Sequence, residues 1–459
     1  MEKLAEWGIR ALEHTGVNTV WNAPRDIHTL FLLRMIRWYG YSGVSLVLAF
    51  YLTEVGIDTA IVGFYMTFFL LGDMVVSLRL TSRADSFGRA RTLMLGSGIM
   101  ALTGLIFATF SNPTVLLVTG IVGFITPGGG EAGPFRNVEF ASIASLSTVT
   151  ESSDYYTWLS LLGILTFALG SIVNGWTMTL LMKYYGWTKP EACKSVFWVQ
   201  FFTSLLCLLT ASQLSSRIEI APLRPRSHAL DSSGSLVSDD EDEILDSLHI
   251  VDPEGPQASS MLFGSKNFWP VIRISFFYAL DSFCRSMVND GWVSFYLIHK
   301  FAPDPSQLGL IFFTSDSLSA VFSVLGTALC KKYGPFTSLI IAHIPATVLV
   351  LFLPIPKTLV VTVVFLLMRG SFKSMDMGPK SVFVSAVVPP EELSGAIAWS
   401  NLGEAVGQGL APPVTGFLAG MNSQWVTFVV SGLLRVSVYE VGIVLSFWAV
   451  RHELDGKTK

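Results

Sequence analysis

The chain has 459 residues, 51% of them hydrophobic and only 14% charged, with a net charge of −4. An average soluble domain carries about 25% charged residues, so with a mean hydropathy of +0.54 an ordinary soluble domain is excluded. The charges crowd into short stretches, and the apolar runs between them reach the ~20 residues that cross a bilayer core of ~30 Å. The class is an all-α integral membrane protein.

Residues 1–29 form a polar, amphipathic lead-in with no apolar run after a basic start, so no cleavable signal peptide is expected. Apolar segments follow at about 30–52, 60–80, 92–110, 114–146, 157–180 and 195–214. A polar insert occupies about 215–268 and contains SSGSLVSDDEDEILDSL (232–248). It cannot bury enough apolar surface to fold alone, and is expected to be a disordered acidic linker. Six more apolar segments run at about 271–298, 306–329, 336–355, 358–387, 394–419 and 425–450, and 451–459 form a tail. The organisation expected is therefore two six-helix bundles, 30–214 and 269–450, joined by the linker.

Basic residues concentrate on the side that holds both termini and the linker. They include the cluster Arg79, Arg83, Arg89 and Arg91, then Arg217, Arg224, Arg226, Lys331 and Lys332. By the positive-inside rule that side is the cytoplasm. Cys193, Cys207, Cys284 and Cys330 lie in or beside apolar runs, without CxxC or zinc-ligand spacing, and read as small packing residues.

The halves repeat at an offset of about 245. FYL at 50–52 matches FYL at 295–297, SFGRA at 86–90 matches KYGPF at 332–336, and Gly133-Pro134 matches Gly378-Pro379. At an offset of 241, Trp158 matches Trp399 and Gly175 matches Gly416. Six-span repeats of this kind place a substrate site near the membrane midplane.

The loop after the second span reads TSRADSFGRARTL (81–93). It resembles the signature of the major facilitator superfamily, an approximate G-x-x-x-D-R-x-G-R-R pattern. Asp85, Gly88, Arg89 and Arg91 match it or lie beside it, while Thr81 replaces the usual first glycine and Ser86 a usual cation. In the second half the copy has decayed to LCKKYGPF (329–336). The resemblance implies a fold of 12 transmembrane helices in two pseudo-symmetric bundles, and a gating role for this loop. It also implies that spans 1, 4, 7 and 10 line a central cavity.

The fourth span is unusual. TVLLVTGIVGFI (114–125) is followed by TPGGGEAGPFRNVEF (126–140). Twelve helical residues rise only ~18 Å, short of the ~30 Å core, so a helix continuing through the second stretch is expected. Charges there should face a wet interior, since lipid exposure is costly. Glu131, Arg136 and Glu139 fall in this span, and Arg369, Lys373, Asp376 and Lys380 in the tenth. Glu131 and Asp376 are equivalent in the repeat, and Lys373 shares a helix face with Asp376. Asp281 and Arg285 in span 7 are spaced i,i+4, with Asp290 farther along; Asp316 lies in span 8 and Glu404 in span 11. Arg34 and Arg37, near the end of span 1, are long enough to snorkel to the interface. Glu139 and Lys380 fall toward the cytoplasmic rim. Tyr41, Tyr65, Tyr278, Trp292 and Trp399 are candidates to shape a pocket.

The reading that follows is a secondary active transporter of a small polar or charged solute, working by alternating access and coupled to protons. Glu131, Arg136, Asp281, Arg285, Arg369, Lys373, Asp376 and Glu404 are the candidate substrate and coupling residues. Glu131 is the principal candidate protonation site. No phosphate-binding loop, metal cluster or nucleophile motif points to an enzyme, a cofactor or a nucleic acid. Solute, protons and membrane lipid are the expected partners of a monomer. Two alternatives stand beside this one. A drug/proton antiporter is disfavoured by the missing proline in span 5, GILTFALGSIVNGW, although GLAPPVTG (409–416) in span 11 resembles that signature. A non-transporting receptor or scaffold would signal through the linker.

Overall fold

The computed structural model describes residues 17–125, 133–219, 268–373, 375 and 393–440. Every regular element among them is helical. A short α1 (Val17–Trp21) precedes α2 (Arg25–Glu54), α3 (Thr59–Thr81), the single turn α4 (Ala84–Phe87), α5 (Arg89–Thr109), α6 (Pro113–Val122), α7 (Phe135–Leu146), α8 (Val149–Tyr185) and α9 (Lys189–Ala211). The second half holds α10 (Phe268–Met287), α11 (Asp290–Phe301), α12 (Pro305–Tyr333), α13 (Pro335–Phe352), α14 (Leu359–Lys373), α15 (Leu393–Gly420) and α16 (Gln424–Leu434), which runs on as a π-helix over Arg435–Glu440. By length and composition, helix over 59–81, 89–109, 154–185 and 189–211 suffices to cross a membrane, with shorter apolar helix at 113–122 and 337–352.

Local chemistry sets the breaks. Asp58 caps α3 by accepting from the Ala60 N–H, and Asn112 caps α6 with Pro113 behind it at the first position. Thr148 with Glu151, and Thr188 with Glu191, form capping boxes that start α8 and α9. On α3, Ile61, Phe64, Phe68, Leu71, Val75 and Leu78 are all exposed. Their three- and four-residue spacing makes one outward apolar stripe, the surface that lipid would cover.

Two predicted spans are not single helices. Span 4 stops at Val122 and restarts at Phe135. The expectation of one helix through this stretch is corrected on the described residues: the Gly133 N–H, just before the restart, donates to the Asp73 carboxylate of α3 at 2.7 Å. Span 7 divides between Met287 and Asp290, where Asn289 caps α11 by accepting from the Trp292 N–H. Asn-Asp-Gly supplies that cap in the middle of an apolar run.

The halves meet along two related seams, α3 against α15 and α8 against α12. Both depend on glycine. A Cβ on Gly63 would meet the Pro412 carbonyl, and one on Gly416 would stand 2.9 Å from the Gly63 Cα. In the other seam a Cβ on Gly175 would meet the Pro305 carbonyl and stand 3.0 Å from the Gly309 Cα. Gly175 and Gly416 are repeat equivalents, and Gly63 and Gly309 follow the main offset within a residue. Three inter-half hydrogen bonds lie toward the same end: Thr67 Oγ1 to the Gly409 carbonyl at 2.7 Å, Ser294 Oγ to the Leu46 carbonyl at 2.6 Å, and the Ser306 N–H to Thr179 Oγ1 at 2.8 Å. That end carries the turns at 55–58, 302–304 and 421–423, opposite the 82–88 loop.

Candidate functional site

Among the described residues two charge clusters stand in the helical core, one in each half; the first is fully buried, and the second opens on a cavity. In the first half α7 presents Glu139, fully buried, to Arg34 and Arg37 of α2, themselves 4% and 0% exposed. Arg37 donates to both Glu139 oxygens at 2.8 and 3.1 Å, and Arg34 to one at 3.1 Å. The Arg37 guanidinium lies 4.3 Å from the Phe135 ring centre, and Arg34 lies 5.2 Å from the Trp38 ring, contacts that favour a desolvated cation. The sequence allowed these arginines to snorkel to the interface and put Glu139 toward the cytoplasmic rim. The structure buries all three, because the arginines have a carboxylate to pair with and no need to reach water.

The second cluster grows out of the broken span. The end of α10 leaves carbonyls without helical partners, and the start of α11 leaves free N–H groups. Two cations one turn apart on α14 meet the two ends. Arg369 donates to the Val288 carbonyl at 2.8 Å, and Lys373 pairs with both Asp290 oxygens at 2.8 and 3.0 Å. A cation at a helix C-terminus and a carboxylate in a helix first turn are each favoured by the macrodipole. Asp281, fully buried on α10, accepts from Arg285 Nε at 3.0 Å and from its terminal nitrogen at 2.6 Å. Its other oxygen lies 3.0 Å from Arg435 Nε. Asp316 of α12 is an electrostatic neighbour of Asp290, Lys373 and Arg369. Arg285, Arg369, Lys373 and Arg435 all line one cavity of about 220 Å³, with the hydroxyls of Ser286, Thr347 and Ser431.

The Major Facilitator Superfamily sequence profile matches residues 30–355 and 274–459 of this chain. The chain belongs to the major facilitator superfamily. An uncharacterized membrane protein of Saccharomyces cerevisiae is 26% identical over 425 residues, covering 90% of this chain and 92% of the yeast protein. Among solved structures, the nucleoside transporter NupG superposes with a TM-score of 0.65 at 15% identity, covering 93% of this chain and 99% of its own. A D-xylose–proton symporter gives 0.64 at 14% identity, covering 92% and 97%. The human organic anion transporter MFSD10 gives 0.57 at 14%, covering 93% and 100%. At these identities the structural likeness shows the major facilitator fold alone.

The superfamily loop is ordered around Arg89, which is 3% exposed. Its Nε donates to Asp85 at 3.0 Å, and a terminal nitrogen donates to the Ala141 and Ile218 carbonyls and the Ser145 hydroxyl at 3.0–3.2 Å. Gly88 adopts φ 108°, in the left-handed region that suits glycine. The Glu219 carboxylate caps α5, accepting from the N–H groups of Arg89 and Ala90 at 2.7 and 3.3 Å.

Of the residues singled out in the sequence, Asp281, Arg285, Arg369 and Lys373 come together. Arg136 is exposed and lies over Phe140, apart from them. Glu404 is half-buried one turn before Gln408, which lines the cavity. Glu131, Asp376 and Lys380 lie outside the described residues; Lys373 is seen paired with Asp290. Trp292 is 1% exposed in the apolar core and Tyr41 donates to Met100 Sδ; the five candidate pocket aromatics are not among the cavity lining. Sequence reasoning missed Arg435, Asp73 and Glu219. Asp73 was findable as a lone carboxylate inside YMTFFLLGDMVV. Arg435 was findable as a lone cation inside VVSGLLRVSVY.

Proposed function

We propose that the chain is a secondary active transporter that moves a small polar or charged solute by alternating access, coupled to protons, with both termini and the linker in the cytoplasm. The observation that carries this reading is a cavity in the second half lined by four cations and reached by Leu70 of the first half, in a chain whose halves meet along two glycine seams. Charges at membrane depth are costly and mark substrate or ion pathways. Glycine seams let two helix pairs close tightly and part again with little side-chain rearrangement. Arg285, Arg369, Lys373 and Arg435 then bind solute, with Asp281 holding Arg285 and Arg435 in place, and Asp85, Gly88, Arg89 and Arg91 set the balance between access states. Glu131, Asp376 and Glu404 remain candidate coupling groups, and Arg136 a peripheral one. The names of the similar structures, a nucleoside transporter, a D-xylose–proton symporter and an organic anion transporter, support solute carriage, and the second supports proton coupling.

The test is a screen of proteoliposomes for solute-dependent change of internal pH. A solute that moves protons with it, and does so only in liposomes that contain the chain, is the expected result. A solute that crosses with no pH change would remove proton coupling and keep transport.

A further inference from the structure

Resting on the transporter reading above, we infer that the solute is a compact dianion, held between Arg369 and Lys373 on one side and Arg285 and Arg435 on the other.

The first argument is charge. Four cations line the cavity. Carboxylates near them among the described residues include Asp281, Asp290 and Asp316, and none of these three lines the cavity itself. Among the described residues, every charged side chain that lines the cavity is a cation. Arg369 lies within electrostatic reach of both Arg285 and Arg435, so like charges are gathered around one space. An anion entering there relieves that repulsion, while a cation adds to it.

The second argument is geometry. Asp281 is divided between Arg285 and Arg435. Arg285 holds one oxygen with two hydrogen bonds, and the Arg435 Nε is 3.0 Å from the other without hydrogen-bond alignment. Arg435 therefore has a neutralising charge nearby but its N–H is misaligned, in a planar fork that matches carboxylate and phosphate oxygens. It stands where the last helix passes from α to π, a local irregularity frequent at functional sites. Lys373 keeps 39% of its side chain exposed while paired with Asp290, so its ammonium can hold a second acceptor. The two cation sets lie on different helices, which suits a solute with acidic groups at two positions or one doubly charged group.

The third argument is size. An apolar cavity of about 150 Å³ accommodates benzene. A cavity of about 220 Å³ with hydroxyl and guanidinium walls suits a solute only moderately larger, a short dicarboxylate or a small phosphate ester.

The experiment uses the purified full chain and an isosteric charge series: succinate, monomethyl succinate, dimethyl succinate and 1,4-diaminobutane, with glycerol 3-phosphate as a second dianion. A ligand that binds the folded state raises the unfolding midpoint with its concentration. Succinate or glycerol 3-phosphate should protect most, the monoester less, and the diester and diamine not at all; which dianion protects identifies the acidic group. Lys373→Gln and Arg435→Gln should raise the half-protecting concentration about tenfold or more, and Lys373→Arg should keep most of it. Protection by the diester or diamine equal to that of the dianions, or none by either dianion, overturns the inference. Flux of the protecting solute into proteoliposomes separates the two readings. Protection without flux keeps the anion site and sinks transport; protection and flux of an uncharged solute keep transport and sink the anion site.

Discussion

The Thr67 hydroxyl of the first half donates to the Gly409 carbonyl of the second at 2.7 Å. That carbonyl is available because of a proline four residues on. Pro412 and Pro413 lie inside α15, and a proline cannot donate to the carbonyl of residue i−4. Two acceptors are freed, on Gln408 and Gly409. Ser286 Oγ takes the first at 3.0 Å, within the second half, and Thr67 takes the second across the halves. The double proline in GLAPPVTG thus creates the acceptor of an inter-half latch.

Thr67→Val should weaken the closed seam. It leaves a buried carbonyl without a partner, at about 1–3 kcal/mol, which shifts the ratio of closed to open states on the order of tenfold. Spin labels at the exposed positions Tyr185 and Lys357, one in each half at that end, report the separation. A longer distance population should grow in the variant, and an unchanged distribution would count against the latch.

The glycine seams give a second expectation. Gly63→Val and Gly175→Val should each slow transport strongly, because their side chains would enter the backbone of the opposite helix. Solute binding to the open state should persist. The Gly63→Val, Gly416→Val double variant should be little worse than either single, since both act on one contact, whereas Gly63 with Gly175 should combine nearly additively. The check is initial flux beside binding affinity in each variant.

The sequence carried the all-helical membrane class and the place of many helix starts, because apolar runs and capping residues act locally. Gly175 and Gly416 stood out as repeat partners, and both are seam residues. Pairing across space was less legible. Arg34 and Arg37 looked free to snorkel because Glu139, their partner, is a hundred residues away. Lys373 reaches Asp290 on α11, and the break in span 7 brings that carboxylate into range. The break itself was written in Asn289-Asp290-Gly291, but a cap signal inside an apolar run is overridden by the period of the run unless length is weighed against it. Arg435 was missed because its significance depends on Asp281, on a helix far away in sequence.

Glu139→Gln should be severely destabilising. It leaves two buried arginines without their carboxylate, and breaking a buried pair costs about 3–5 kcal/mol. The unfolding midpoint in detergent should fall markedly. Replacing Arg34, Arg37 and Glu139 together by Met should recover most of the loss, because an apolar set of similar volume carries no desolvation cost. A Gln variant as stable as the parent would show that the cluster is hydrated.

The Arg89 loop separates stability from gating. The described hydrogen bonds of Arg89 go to Asp85, α7 and the turn at Ser216–Ile218, all within the first half. Arg89→Ala should therefore lower thermal stability, since it removes a buried cation that ties three elements together and leaves the Ala141 and Ile218 carbonyls short of a donor. Glu219→Ala removes the cap of α5 and should cost about 1 kcal/mol. Asp85 is different. Its side chain is 55% exposed, and an exposed pair of this kind contributes less than about 1 kcal/mol. Asp85→Asn should leave the unfolding midpoint nearly unchanged, so any effect it has on transport cannot be attributed to loss of fold. The expected outcome is a change in turnover with little change in solute affinity, measured as initial flux beside protection against unfolding by the same solute. Equal loss of turnover and affinity in a normally stable Asp85→Asn chain would show that the loop shapes the binding site rather than the balance of access states.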